Sequence, residues 1–84
     1  MKSNTKTTVR LMITLPENTG IVQRLYDRGW YFSLEEETIT DTDKLTDFLL
    51  TLRAKGGKQI HSKTYISDDD LKEHKLFVYE YTTD

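Results

Sequence analysis

The segment Thr8–Leu15 alternates without a break: Val9, Leu11, Ile13 and Leu15 fall on one side of a two-residue period, and Thr8, Arg10, Met12 and Thr14 on the other. A helix would scatter those four aliphatics around its axis, whereas a strand gathers them on one face. Pro16 closes the run, because it has no N–H to give to a neighbouring strand. Any fold for this chain is therefore built on a sheet with one face against a core.

The elements after that strand are read from periodicity and turn chemistry. Ile21, Val22, Leu25 and Tyr26 form a stripe at helical spacing, with Asn18 or Thr19 able to cap it and Gly29 able to stop it. A second strand is expected from Trp30, with Trp30, Phe32 and Leu34 toward the core and Tyr31, Ser33 and Glu35 away from it. Ile39 is out of phase with Leu34, which implies a bulge or an early strand end near Glu36. The second expected helix is better marked. Thr40, Asp41 and Thr42 offer caps, Leu45, Phe48, Leu49 and Leu52 fall at i, i+3, i+4 and i+7, and Gly56-Gly57 ends it. Lys58–Ser67 reads as a third strand, with Ile60, Ser62, Thr64 and Ile66 on one face. Ser67 to Asp70 resembles a capping box before a short turn at Leu71, and Leu76–Thr82 reads as a fourth strand.

The order β-α-β-α-β-β predicts an α/β fold, an α+β two-layer sandwich: a four-stranded mixed sheet with two helices on one face. Strands joined through helices favour parallel crossovers, and the last two strands an antiparallel pair. The 84 residues suffice for a single domain over 1–84, with residues 1–6 expected as a flexible N-terminal tail. A chain of this size has little room for a deep internal active site.

Composition narrows the function classes. There is no cysteine, which excludes disulfides, thiol catalysis and thiolate metal sites. The first residues carry charge but no apolar stretch of signal type, and no run approaches the ~20 apolar residues of a spanning helix. A cytoplasmic protein without a membrane partner is the expectation. Net charge is −2, so bulk attraction to nucleic acid is not indicated. The charges nevertheless come in blocks: Glu35, Glu36, Glu37, Asp41, Asp43 and Asp47 in one stretch, then Arg53, Lys55, Lys58 and Lys63 without an acid between them.

With both helices on one side, the other side of the sheet would stay open. The expected phases put Arg10 and Met12 there from the first strand, Tyr31 from the second, and His61, Lys63 and Tyr65 from the third. Taking Leu76 and Val78 as core, the last strand adds Phe77, Tyr79 and Tyr81 to the open face; in the opposite phase those three would be core instead. An aromatic face of this size is the kind of surface that binds a partner, because tyrosine buries area and keeps a polar handle. The leading expectation is a small non-catalytic protein-binding domain of inhibitor or adaptor type. Its contact residues would be Met12, Tyr31, Tyr65, Phe77, Tyr79 and Tyr81, with the acidic Glu35, Glu36 and Glu37. One alternative is a nucleic-acid-binding module using Arg10, Arg53, Lys55, Lys58 and Lys63 with the sheet tyrosines. Another is a homodimeric small-ligand or regulatory domain, the same face being used for self-association.

Chemistry-bearing motifs add little. Arg53-Ala54-Lys55-Gly56-Gly57-Lys58 is basic and glycine-containing but lacks phosphate-loop spacing. His61 and His74 have no ligand spacing, and Asp68-Asp69-Asp70 lacks the alternation of a calcium loop, so no metal or cofactor is expected. No nucleophile elbow or triad spacing occurs, and no enzymatic activity is expected.

Overall fold

A computed structural model describes residues 5–83, and every strand pairing in it is antiparallel. The elements are β1 (Thr5–Leu15), β2 (Thr19–Asp27), β3 (Phe32–Ile39), α1 (Thr42–Ala54), β4 (Lys58–Ile66) and β5 (Glu73–Thr83). They form one five-stranded sheet in the order β3-β2-β1-β5-β4, with a single helix. This overturns the expected four-stranded mixed sheet with two helices and parallel crossovers. Thr5 and Lys6 of the expected tail are the start of β1; the rest of that tail lies outside the described residues.

The main correction is to the helix expected from Asn18, because Thr19–Asp27 forms β2 instead. Glu17 and Asn18 turn the chain tightly: Asn18 adopts a left-handed φ of 58°, a conformation its short polar side chain tolerates, and its N–H donates to Thr14 O at 2.9 Å. The chain thus returns directly alongside β1, pairing Thr14 with Thr19 and Lys6 with Asp27. Apolar residues at 21, 22, 25 and 26 suit a helix stripe, but they equally suit a strand with apolar side chains on both faces. Gly20 is buried in this hairpin beside Leu11 and Ile39, where a Cβ would make ordinary contacts.

β3 also reverses the expected phase. Gly20 pairs with Ile39 and Leu25 with Leu34 in an unbroken register, with no bulge at Glu36. Ile39 is buried in the core, while Phe32 and Leu34 are exposed on the opposite face and Trp30 lies in the turn. The residue that looked out of phase is therefore the one that anchors the strand. The irregularity in register falls instead in β4, between Gln59 and His61, where Ile60 is the extra residue.

α1 forms as its sequence dictates. Asp41 is the N-cap and accepts a hydrogen bond from Asp43 N at 2.8 Å; Arg53 lies in the last turn, and Gly56 takes a φ of 78° beyond it. Gly57 is needed for a different reason, because a Cβ there would lie 2.8 Å from Leu52 O. Leu45 and Leu52 are buried and Phe48 and Leu49 partly so, packed on Val9, Leu11, Val22, Ile39 and Tyr81. The guanidinium of Arg24 lies 5.2 Å from the centre of the Phe48 ring, and Lys55 Nζ 5.4 Å from that of Tyr81, so cations close the flanks of the core. The Thr7 hydroxyl is enclosed in this core without a hydrogen-bond partner among the described residues.

β4 and β5 form the expected antiparallel pair, joined by a short turn in which Leu71 N donates to Ser67 O at 2.8 Å, the i→i+4 bond of a single α-turn. Ile60 and Ile66, expected in the core, are exposed because β4 is an edge strand that the single helix does not cover.

Candidate functional site

The register fixes what each face of the sheet carries. Val9 pairs with Tyr79, Leu11 with Phe77 and Thr7 with Tyr81, so the three aromatics of β5 lie on the helix side with the core. Tyr81 is buried, and Phe77 and Tyr79 pack on the same cluster. Their expected place on the open face is thereby corrected: Leu76 and Val78, read as core, face the other way. Two constraints set this phase: the β1 aliphatics face the helix, and β5 is held opposite them residue for residue.

Of the expected contact residues, Met12 and Tyr65 do share the uncovered face, where the Tyr65 hydroxyl lies 3.4 Å from Met12 Sδ. Tyr31 is apart from them, in the β2–β3 turn. Arg10 sits at the centre of the uncovered face, and a depression of about 260 Å³ beside it is lined by Met12, Ile21, Gln23, Glu36 and Leu76. The basic residues of the nucleic-acid alternative are divided. Arg53 and Lys55 belong to the end of the helix layer, whereas Lys58 and Lys63 belong to β4 at the sheet edge. Lys58 and Lys63 share the uncovered face with Arg10, two strands away, and Arg53 and Lys55 do not.

The surface that the structure does assemble is at the β2–β3 hairpin. Leu25 and Leu34 are directly opposite one another on the uncovered face, and Phe32 lies two residues from Leu34 on that same face. Trp30 is 84% exposed, Phe32 66% and Leu34 63%, and Leu25 and Tyr31 are also exposed. The turn is internally ordered: Arg28 N donates to Tyr31 O at 3.1 Å, and Gly29 N donates to an Asp27 carboxylate oxygen at 2.9 Å. The Trp30 and Tyr31 rings pack at a tilt with centroids 4.2 Å apart. The Arg28 guanidinium lies within 6 Å of the Tyr26 and Tyr31 rings, a distance at which the ring quadrupole holds the cation. Sequence reading missed this surface by assigning Trp30, Phe32 and Leu34 to the core. The available signal was Ile39: once it is taken as the buried residue, period two turns Leu34 and Phe32 outward.

Glu35, Glu36 and Glu37 continue the same edge strand and alternate faces. Each takes a neighbour on β2: Tyr26 Oη donates to Glu35 at 3.0 Å, Gln23 Nε2 to Glu36 at 2.8 Å, and Arg24 forms an ion pair with Glu37 at 3.2 Å. Partial burial, and then the bond to Glu35, push the Tyr26 phenol above its ordinary value.

The far end of the sheet holds the one cluster with the appearance of catalytic groups. Thr14 Oγ1 lies 3.1 Å from His74 Nδ1, and His74 Nε2 lies 3.1 Å from an Asp70 carboxylate oxygen. Tyr65 stacks on the His74 ring at 5.3 Å between centroids. Both ring nitrogens are engaged and the imidazole is buried, so the arrangement ties the β4–β5 turn to β1. The Lys72 backbone N–H, followed by the His74 bond, holds the Asp70 carboxyl below the ordinary carboxylate range. Next to it Lys72 pairs with Glu17 at 2.7 Å, which lowers the Glu17 carboxyl and raises the Lys72 amine. Among the described residues no group of three or more histidines and carboxylates converges as a metal site, and no helix is long and apolar enough to cross a membrane.

Compared with known proteins, the chain matches no family model, no curated protein and no solved structure.

Proposed function

We propose that this chain is a non-catalytic protein-binding domain whose contact surface is the β2–β3 hairpin and the adjoining uncovered sheet face. The observation that carries the reading is the exposure of Trp30, Phe32 and Leu34 side by side with Leu25 and Tyr31. Leaving such a group in water forfeits the free energy of burying it, roughly 25 cal/mol for each Å². Monomeric proteins rarely leave a large contiguous patch of this kind without a use for it. Aromatic residues are also the types that dominate interface energetics, with tryptophan and tyrosine foremost. The hairpin is held by its own hydrogen bonds and by Arg28, so little ordering is required when a partner arrives. Glu36 on the same face, with Glu35 and Glu37 on the same strand, adds a negative rim that would orient a positively charged partner.

The test compares capture of proteins from a lysate of the source organism by the immobilised wild type and by a Trp30→Ser, Phe32→Ser double variant. Both positions are exposed, so the variant should keep the circular dichroism of the wild type. A defined partner retained by the wild type and lost by the variant is the expected result. Equal capture by the two proteins would refute the assignment of this surface.

A further inference from the structure

The two edges of the sheet carry opposite charge. The β3 edge, Phe32–Ile39, holds Glu35, Glu36 and Glu37 and no basic residue; the β4 edge, Lys58–Ile66, holds Lys58, His61 and Lys63 and no acid. Among the described residues both strands pair on one side only. Exposed edges are normally blunted by charge of one sign, which repels another copy of the same edge. Here each edge repels itself and attracts the other. From this complementarity we propose that the β3 edge of one molecule pairs with the β4 edge of a second copy of this chain, extending the sheet from molecule to molecule.

The direction and facing of the strands fit this pairing. Four antiparallel steps separate β3 from β4, so the two run the same way. A second copy placed beside the first in the same orientation would join them as a parallel pair. Backbone groups alternate in direction along a strand. Arg28 N donates to Tyr31 O across the β2–β3 turn, which fixes that alternation; carried through the register, it aims the backbone groups of Phe32, Leu34, Glu36 and Thr38 off the free edge. At the other end Ser67 N donates to Lys72 O, which aims those of His61, Lys63 and Tyr65 inward at β5 and those of Ser62, Thr64 and Ile66 outward. In a parallel pair, residues that bond across the junction sit opposite residues that bond away from it. Leu34, Glu36 and Thr38 would therefore lie opposite members of the His61, Lys63, Tyr65 set. All six side chains occupy the uncovered face, so both helices fall on the same side of the extended sheet and Glu36 meets the basic residues.

The contact is head-to-tail, which leaves one free edge of each kind on every assembly. With a twist of roughly 20–25° between neighbouring strands, each copy would turn about 100° or more relative to the last, giving a helical chain of molecules and not a flat ribbon.

This inference does not rest on the protein-partner reading, and its test uses different residues. Sedimentation velocity of the purified wild type across rising concentrations at low salt should show a sedimentation coefficient that climbs past the dimer. The rise should be suppressed by high salt. Glu36→Lys and Lys63→Glu, both at exposed positions, should each raise the concentration needed for assembly at least tenfold. An equimolar mixture of the two variants should recover assembly, because each then offers the edge that the other lacks. A wild type that stays monomeric throughout, assembly that stops at the dimer, or a mixture no better than either variant alone would overturn the proposal.

Discussion

A pair of truncations on β3 separates the observed phase of that strand from its opposite. Ile39 is 1% exposed, next to Gly20 and against the helix core, while Leu34 is 63% exposed on the uncovered face. Ile39→Ala removes buried methyl groups and leaves a cavity that the rigid hairpin can only partly close, so it should cost about 2–5 kcal/mol. A chain of this length has a total stability of the order of 4–13 kcal/mol. The loss is thus a large fraction of the whole and should lower the melting temperature by roughly 10–30 °C. Leu34→Ala gives up only the covered part of its side chain and some strand preference, and about 0.5–1 kcal/mol is expected. Urea unfolding followed by far-UV circular dichroism is the suitable assay, because the single tryptophan, Trp30, is already exposed in the folded state. The ratio of the two losses is the informative quantity. A Leu34→Ala cost equal to or above that of Ile39→Ala would show that β3 presents the other face to the helix, and the hairpin surface would then be lost from the account.

Two further outcomes follow from the core and from the far turn. Thr7→Val replaces the enclosed, unpartnered hydroxyl with a methyl of similar shape and should stabilise the fold by about 1 kcal/mol in the same urea assay; a clear loss of stability would mean that the hydroxyl has a partner. Asp70 and Glu17 both titrate below their ordinary values in the folded chain, so their contribution is present above the unfolded carboxylate range and is lost as pH falls through the depressed folded values. Lys72, whose amine is raised, contributes below its unfolded value and stops contributing as pH rises through the folded one. The melting temperature of the wild type should accordingly fall more steeply on acidification than that of Asp70→Asn, and identical acid limbs would remove Asp70 from the balance.

What could be read from the sequence depended on how many neighbours a segment has. β1 lies between two strands and beneath the helix, so its alternation is complete and unambiguous. α1 has a full stripe, a capping aspartate and a glycine stop, and all three are realised. β2 has apolar side chains on both faces because Ile21 and Leu25 face one way while Val22 and Tyr26 face the other, and such a pattern mimics a helix when read at a spacing of three and four. β3 and β4 are edge strands, where apolar residues are not required to point inward. Trp30, Phe32, Leu34, Ile60 and Ile66 therefore misled any reading that equated apolar with buried. The aromatic residues of β5 could have been assigned only from pairing, since Leu76 and Val78 alternate with them and both sets are apolar.

The placement of β1 has a consequence for how the protein is made. Its two hydrogen-bonding sides are satisfied at very different times during synthesis: β2 follows immediately, but the partner on the other side is β5, with Thr5 opposite Thr83. A nascent chain can build the β3-β2-β1 meander early, yet the best apolar strand of the protein keeps one bare side until almost the last described residue has left the ribosome. Pairing over such a separation is slow compared with local hairpin closure. In that interval β1 is itself an open edge with its alternating aliphatics unshielded on one side, and the growing chain is more vulnerable to chaperone capture and misassembly than the folded protein.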